Sequence, residues 1–351
     1  MRIDPQRIRD AQSLLARHFG PTRIARAASL SSPGHDVFLK IETALPTGSF
    51  KVRGAIYALS KRIERDRLKA VPSAISEVVC ASTGNHGAAV AYAAQQACAK
   101  ATIFLPADPN PVKAARILAL GGRIVKAGAD LSAAIDAARD YAERAPAFFL
   151  HDASDPDVPV GTATIGAEIV AQLPDVDVIY VPMGDTALIR GVASAAKQDR
   201  ASIRVVGVVA EQAPAYFLSW TGTAGSRPRA HGASARRATP GSDDVVETAT
   251  CNTIADGLAI RRPLAPNVAA IRELVDDVVM VSEEEMIAAI NRLYARERVI
   301  AEPAGAAATA ALLKAPAVAR TSVVLVTGGN IAPGLMPKKA AEGNPLRSLR
   351  K

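Results

Sequence analysis

Short β-branched runs alternate with alanine-rich stretches of helical length through most of the chain. No other feature restricts the fold as strongly. Strands are predicted at 37–41, 77–81, 101–105, 123–126, 176–181, 204–209, 277–281 and 322–326. Helical stretches follow most of them, at 86–97, 111–120, 131–142, 189–197 and 283–297. A strand, a helix and a second strand in that order build a parallel pair, because parallel neighbours need a crossover of a dozen or more residues. The pattern therefore predicts an α/β fold with parallel-rich sheets flanked by helices. Ser282, directly ahead of Glu283, Glu284 and Glu285, is an N-cap followed by acids suited to the helix dipole. At 351 residues the chain has room for two domains or one large unit. Aromatics make up 4%, so alanine and aliphatic side chains must fill the core.

Composition excludes several functional classes. No run of about 18 apolar residues exists, so no membrane helix is expected. The N-terminal MRIDPQRIRDAQSLL is charged and lacks an apolar signal core, which predicts a cytoplasmic protein. Cys80, Cys98 and Cys251 have no metal-ligand spacing and read as buried thiols in a reducing compartment. The net charge is +8, and six of those charges fall in two segments, 221–246 and the basic tail 338–351. The stretch 221–244, rich in Gly, Ser, Ala and Arg, reads as a flexible insertion. Basic charge in such segments is solvated charge rather than a nucleic-acid surface. The turn chemistry of HDASDPDVP, within 145–159, suggests a crossing point between two domains.

Five segments carry chemistry. Lys51 ends a Pro- and Gly-bearing loop and starts an alanine-rich helix. The positive dipole end there is expected to lower its pKa and favour a Schiff-base amine; the plainer reading is a surface lysine beside Arg53. Ser82-Thr83-Gly84-Asn85-His86-Gly87 follows an apolar strand and opens a helix, as a polar ligand site above a parallel sheet would, or as an ordinary capped turn with a satisfied histidine. Gly184-Asp185-Thr186-Ala187-Leu188 lies where a phosphate cradle would sit. Asp185 opposes a phosphate there and is expected to cap the helix, pointing away from a ligand. Glu302-Pro303-Ala304-Gly305-Ala306 and Thr327-Gly328-Gly329-Asn330 are turns, the second with a hydroxyl where a ring nitrogen could end.

In this order the segments resemble the fold-type-II pyridoxal-phosphate (PLP) enzymes of the threonine/serine dehydratase and serine racemase family. TGSFKVRGA (47–55), STGNHG (82–87), DPDVPVGTATIGAEI (155–169), the glycine-loop position 184–188, TIADGLAI (253–260), EPAGA (302–306) and TGGN (327–330) carry the likeness, which spans nearly the whole chain. The resemblance implies a tryptophan-synthase-β-like two-domain architecture. A small domain would span 53–147, and a large PLP-binding domain would combine 1–52 with 148–351. It implies pyridoxal 5′-phosphate as cofactor, a small amino-acid substrate, no metal, and a homodimer. Lys51 would form the Schiff base and then act as acid and base at Cα, with Phe50 beside the ring. Asn85 would meet the phenolate oxygen, Thr327 the pyridine nitrogen, and Glu302 the polar edge of the ring. Gly184, Asp185, Thr186, Ala187 and Leu188 would present backbone N–H groups to the phosphate. Ser82, Thr83, Asn85 and His86 would surround the substrate carboxylate. Thr83, at the position where racemases carry a serine, would be the second catalytic residue.

The implied reaction is α,β-elimination of water from a β-hydroxy amino acid, giving a 2-oxo acid and ammonia. The chain departs from the family in its phosphate loop, which retains only Gly184, and in its second glycine turn, GTAT (161–164). Phe217 stands where some members carry a carboxylate for a divalent cation beyond Glu211. GDTALIRGVA, APAYFLSW and VVETATCNTIADGLA resemble a narrower branch, the hydroxyectoine-utilisation dehydratases. The competing readings are a racemase, a β-replacing synthase and a catalytically silent PLP-binding protein.

Overall fold

The computed structural model describes residues 2–68, 75–82, 84–107, 111–129, 131–222, 245–314, 316 and 319–337. Thr83, most of the 221–244 insertion and the 338–351 tail lie outside the described residues.

Two sheets organise the fold. The first has four strands, all parallel, in the order β5-β4-β3-β6: β3 (Glu77–Ala81), β4 (Lys100–Leu105), β5 (Arg123–Lys126) and β6 (Ala147–Phe149). Helices α3 (Asn85–Gln96), α4 (Pro111–Ala119) and α5 (Leu131–Arg144) make its crossovers. The second sheet has six strands in the order β1-β2-β10-β7-β8-β9. These are β1 (Ile24–Arg26), β2 (Asp36–Ile41), β7 (Val178–Pro182), β8 (Arg204–Ala210), β9 (Asp277–Val281) and β10 (Thr321–Val326). Only the β1–β2 pair is antiparallel. Its helices are α1 (Pro5–Leu15), α2 (Lys51–Leu68), α6 (Val158–Gln172), α7 (Ala187–Asp199), α8 (Ala215–Thr221), α9 (Ala265–Leu274), α10 (Glu283–Arg292) and α11 (Pro303–Lys314). Helix α2 also packs on α3, which joins the two layers.

All eight predicted strands are present. The apolar runs of β3, β4, β7, β8 and β10 are buried on both faces, as parallel strands under helices require, whereas the outer strands β5 and β9 are only partly covered. The two strands that the pattern does not reveal, β1 and β6, are three residues long and lie at or beside sheet edges. Ser282 caps α10 in a full capping box with Glu285. The helix predicted to reach 297 changes to a single π turn at Leu293–Glu297. GTAT is not a turn: it lies inside α6, where Gly161 lets the helix approach α2 so closely that a Cβ would lie 2.5 Å from the Arg53 carbonyl oxygen. Of the cysteines only Cys80 is buried; Cys98 is exposed and Cys251 partly so.

One polar cluster is sealed inside the large layer. Arg53 is 1% exposed and donates to Glu42 at 2.8 and 3.1 Å, to Glu168 at 2.6 and 3.0 Å, and to the hydroxyls of Thr164 and Thr22 at 3.0 and 3.3 Å. Lys40, fully buried on β2, donates to Glu168 at 2.6 Å, to Gln172 Oε1 at 2.9 Å and to the Thr22 carbonyl at 2.9 Å. Two cations and two carboxylates cancel, and every guanidinium N–H direction has an acceptor. Arg53 is therefore no surface neighbour of Lys51. It pins the first turn of α2 to β2 and α6. Replacing it by Met keeps volume but leaves Glu42 and Glu168 short of a cation. Arg53→Met is expected to lower unfolding free energy by about 3–5 kcal/mol, measured by urea titration.

Candidate active site

Most of the chemistry-bearing loops leave the carboxyl end of a parallel strand, where α/β sheets bind ligands, while Glu302 comes in at the head of α11. Thr327 follows β10, Gly184 to Leu188 follow β7, Ser82, Gly84, Asn85 and His86 follow β3, and His151 with Asp152 follow β6. These residues line one cleft between the two sheets, with about 980 Å³ of empty space. Phe50, Lys51, Leu131, Ile135, Asp256 and Glu302 are also on its walls.

Lys51 is the first residue of α2. The loop before it is held to the end of β10: Phe50 N–H donates to the Thr327 carbonyl at 3.0 Å, Gly329 N–H donates to the Gly48 carbonyl at 2.9 Å, and Ser49 bridges Gly328. Gly48 has φ +70°, a conformation that favours glycine, and a Cβ there would lie 2.6 Å from Asn330 Oδ1. Lys51 Nζ is hydrogen-bonded to Asp152 Oδ2 and lies 5.4 Å from the centre of the Phe50 ring. The expectation of a lowered lysine pKa is overturned. Burial does disfavour the ammonium, but Asp152, Asp185 and Glu302 outweigh it and hold Lys51 above the ordinary lysine range. The local dipole loses to carboxylates brought in from distant loops. Burial would raise Asp152, yet Lys51, His86 and His151 together hold its carboxyl well below the usual range.

Asn85 at the head of α3 donates to Glu302 Oε1 at 2.5 Å and accepts from Asn330 Nδ2 at 2.6 Å. Burial pushes the Glu302 carboxyl up, against the Asn85 hydrogen bond and the charges of Lys113 and Arg116. His86 is buried, with Nε2 donating to the Leu150 carbonyl at 3.0 Å and Nδ1 3.9 Å from Asp152 Oδ2. The Ser82 hydroxyl accepts from Gly84 N–H at 3.1 Å. His151, also on the wall, is pushed down by burial and so is neutral near pH 7. Across the mouth, Lys113 pairs with Asp256 and Arg116 Nη1 donates to Asn330, linking α4 to loops of the large layer.

Asp185 does not cap α7. Thr186 is the N-cap residue, with φ +66° and no side-chain capping bond, and the Asp185 side chain faces the cleft. Burial, then Asp152, pushes the Asp185 carboxyl up to about 7, against the pull of Lys51 and Arg190. The first N–H groups of α7 have no partner within the helix and are available to an anion.

Of the residues expected from the sequence, the cleft brings together Lys51, Asn85, Thr327 and the 184–188 loop, and it adds Asp152 and His151, which the sequence did not suggest. The one signal for those two was their position directly after a short apolar run, the strand β6.

Two sheets with strand-end loops converging on a half-buried lysine define a lysine-centred α/β enzyme. The chain belongs to the pyridoxal-phosphate dependent enzyme family, whose model matches residues 15–328. It is 35% identical over 326 residues to an L-threonine ammonia-lyase of Thermotoga maritima, covering 92% of this chain and 75% of that one. It is 33% identical over 300 residues to the catabolic L-threonine dehydratase of Escherichia coli, covering 84% and 83%. The structure of maize serine racemase superposes with a TM-score of 0.83 at 26% identity, covering both chains fully. The cofactor of the family is pyridoxal phosphate, and the donor set fits it: an amine at Lys51, a neutral hydroxyl at Thr327, amide and carboxyl groups at Asn85 and Glu302, and unpaired N–H groups at the start of α7.

Asp185 gives a pH signature in cofactor-free protein. Folded, it keeps its proton to about pH 7; unfolded, it releases it near 4. Between those values the native state binds more protons, so the stability it contributes falls as pH rises from about 4 to about 7. Asp185→Asn cannot titrate. Its thermal midpoint should gain on wild type by on the order of 5 °C between pH 4 and pH 8, read by differential scanning fluorimetry.

Proposed function

We propose that the protein is a PLP-dependent dehydratase that removes water from a β-hydroxy amino acid and releases a 2-oxo acid and ammonia. The observation that carries this reading is Lys51, half-buried at the first turn of α2 in the same cleft as Thr327. PLP, when bound, supplies an electron sink for the pair left on Cα. Lys51 then holds the cofactor before the substrate arrives and takes the Cα proton afterwards. The Cα–H bond breaks with its proton passing to Lys51, the C–O bond breaks at Cβ, and the departing hydroxyl takes up one proton, so that water leaves with no net change in protons. The enamine that leaves the site tautomerises and is hydrolysed to the 2-oxo acid and ammonia. Phe50 would pack beside the cofactor and Asn85 would donate to its phenolate oxygen. The 184–188 backbone would receive the phosphate, and Glu302 would lie near the polar edge of the ring. Ser82, Thr83, Asn85 and His86 orient the substrate carboxylate. Thr327, a neutral partner, leaves the pyridine nitrogen unprotonated, which suits prompt elimination.

L-Threonine and L-serine are the general substrates of this reading, supported by the relatives named as threonine dehydratases. The GDTAL loop supports the narrower one, a hydroxyectoine-derived amino acid. A racemase is the second reading, favoured by the full-length likeness to maize serine racemase, and would use Thr83 as the second base. The small domain at 53–147 would close on the large one. A homodimer in the cytoplasm completes the proposal, tested by light scattering and cell fractionation.

Ammonia and 2-oxo acid release by PLP-loaded protein from L-serine, L-threonine and hydroxyectoine-derived amino acids tests the reaction. D-serine formed from L-serine without ammonia would favour the racemase instead. Lys51→Ala is expected to drop turnover to the blank and remove the near-visible absorbance band, with an unchanged circular dichroism spectrum. Turnover at the wild-type rate in that variant would end the assignment.

A further inference from the structure

Three hydrogen bonds in series run from α4 to the cleft wall, and the polarity of each is dictated by the one before. Arg116 has only donors, so the Asn330 atom that it meets is the carbonyl oxygen Oδ1. The Thr47 backbone carbonyl only accepts, and Asn330 Nδ2 donates to it at 3.0 Å. Two independent neighbours thus give the Asn330 amide the same direction. Its remaining N–H goes to Asn85 Oδ1 at 2.6 Å. Asn85 Nδ2 is thereby turned the other way, to Glu302 Oε1 at 2.5 Å. Asn85 and Glu302 line the cleft, whereas Arg116 and Asn330 are not on its walls.

Glu302 does not fix that direction by itself. Burial pushes its carboxyl up, and a carboxyl that keeps its proton can donate as readily as it accepts. An Asn85 amide reversed end for end would satisfy such a group equally well. Asn330 rejects the reversed form, because N–H groups would then face each other. We propose that Asn330, itself directed by Arg116 and the Thr47 carbonyl, is a positioning residue of the reaction: it keeps the Asn85 carboxamide with its N–H groups toward the cleft. This inference rests on the reading of Lys51 as the cofactor lysine and of Asn85 as the partner of the phenolate oxygen. One Asn85 N–H serves Glu302, and the second is left for that oxygen. A reversed amide would set a carbonyl oxygen against the phenolate, a repulsion in place of a hydrogen bond. The ring oxygen would then hold the proton that it shares with the Lys51 nitrogen, and the cofactor would draw electrons from Cα less strongly. Arg116 belongs to the crossover between β4 and β5, and Asn330 to the loop after β10, so contact between the two layers sets the direction of one amide in the cleft.

The test uses PLP-loaded protein and two readouts, the near-visible absorbance band and kcat for ammonia release. Asn330→Asp keeps the size of the side chain and an acceptor for Arg116, but offers Asn85 only oxygen, so the Asn85 amide turns round. Most of the near-visible band should move to shorter wavelength and kcat should fall about tenfold or more, with bound PLP and the circular dichroism spectrum unchanged. Arg116→Met should give a smaller change of the same kind, because Thr47 still directs Asn330. Arg116→Lys, which also only donates, should recover most of that loss. A wild-type spectrum and kcat in Asn330→Asp would overturn the inference and, with elimination from L-threonine intact, leave the dehydratase reading standing. Loss of PLP or of the fold in that variant moves the test to Arg116→Met, where a wild-type spectrum would overturn the inference in the same way. The band shift in a protein that eliminates water from no substrate would support the inference and remove the dehydratase reading. A wild type without the band would overturn both.

Discussion

Four buried charges that cancel determine where Lys51 can be. Arg53, two residues along α2, is bonded to Glu42 beyond β2 and to Glu168 on α6, and Lys40 closes the group from β2. Such a cluster adds little net stability against well-packed apolar side chains, because each charge loses its hydration. Its effect is geometric. A shift of α2 by one turn would strand at least one charge, so only one register of helix against sheet satisfies all four. The lysine at the head of that helix inherits the constraint.

Parallel topology does the rest of the assembly. When nearly all strands run the same way, the loops after them collect at one end, whatever their distance in sequence. Residues near 51, 85, 152, 185, 302 and 327 meet for that reason. The low aromatic content is compatible with this, because alanine-rich helices such as α11 lie close on the sheet with small side chains. Side-chain bulk is then concentrated where the strands themselves supply Val, Ile and Leu.

What was legible in the sequence was what local pattern encodes. Strands covered on both faces announce themselves as apolar runs, and Ser282 with Glu285 announces a helix start. Lys51, Asn85 and Thr327 were legible because each sits in a turn of distinctive composition. The sign of the Lys51 pKa shift was not, because the dipole is a property of α2 alone while Asp152 arrives from a loop 101 residues away. His151 and Asp152 looked like turn residues, since nothing local distinguishes a carboxylate facing water from one facing a lysine in a cleft. Asp185 was expected to cap a helix because aspartate commonly does so; the left-handed Thr186 takes that position and leaves the carboxylate on the cleft.

The position of β10 bears on how the molecule is made. It is the last strand in chain order among the described residues, yet it lies inside the six-stranded sheet, between β2 and β7. Until it leaves the ribosome, β2 and β7 present open edges to each other across a gap one strand wide. The loop that carries Lys51 has nothing to zip onto, because its partners are residues 327–329. The chain must therefore be made through β10 before the reactive amine is held in its cleft. A chain stalled or cut before β10 keeps the lysine but not its setting, and the enzyme carries its own check against working half-made. The same late closure, of contacts between segments far apart in sequence, makes this sheet slow to form.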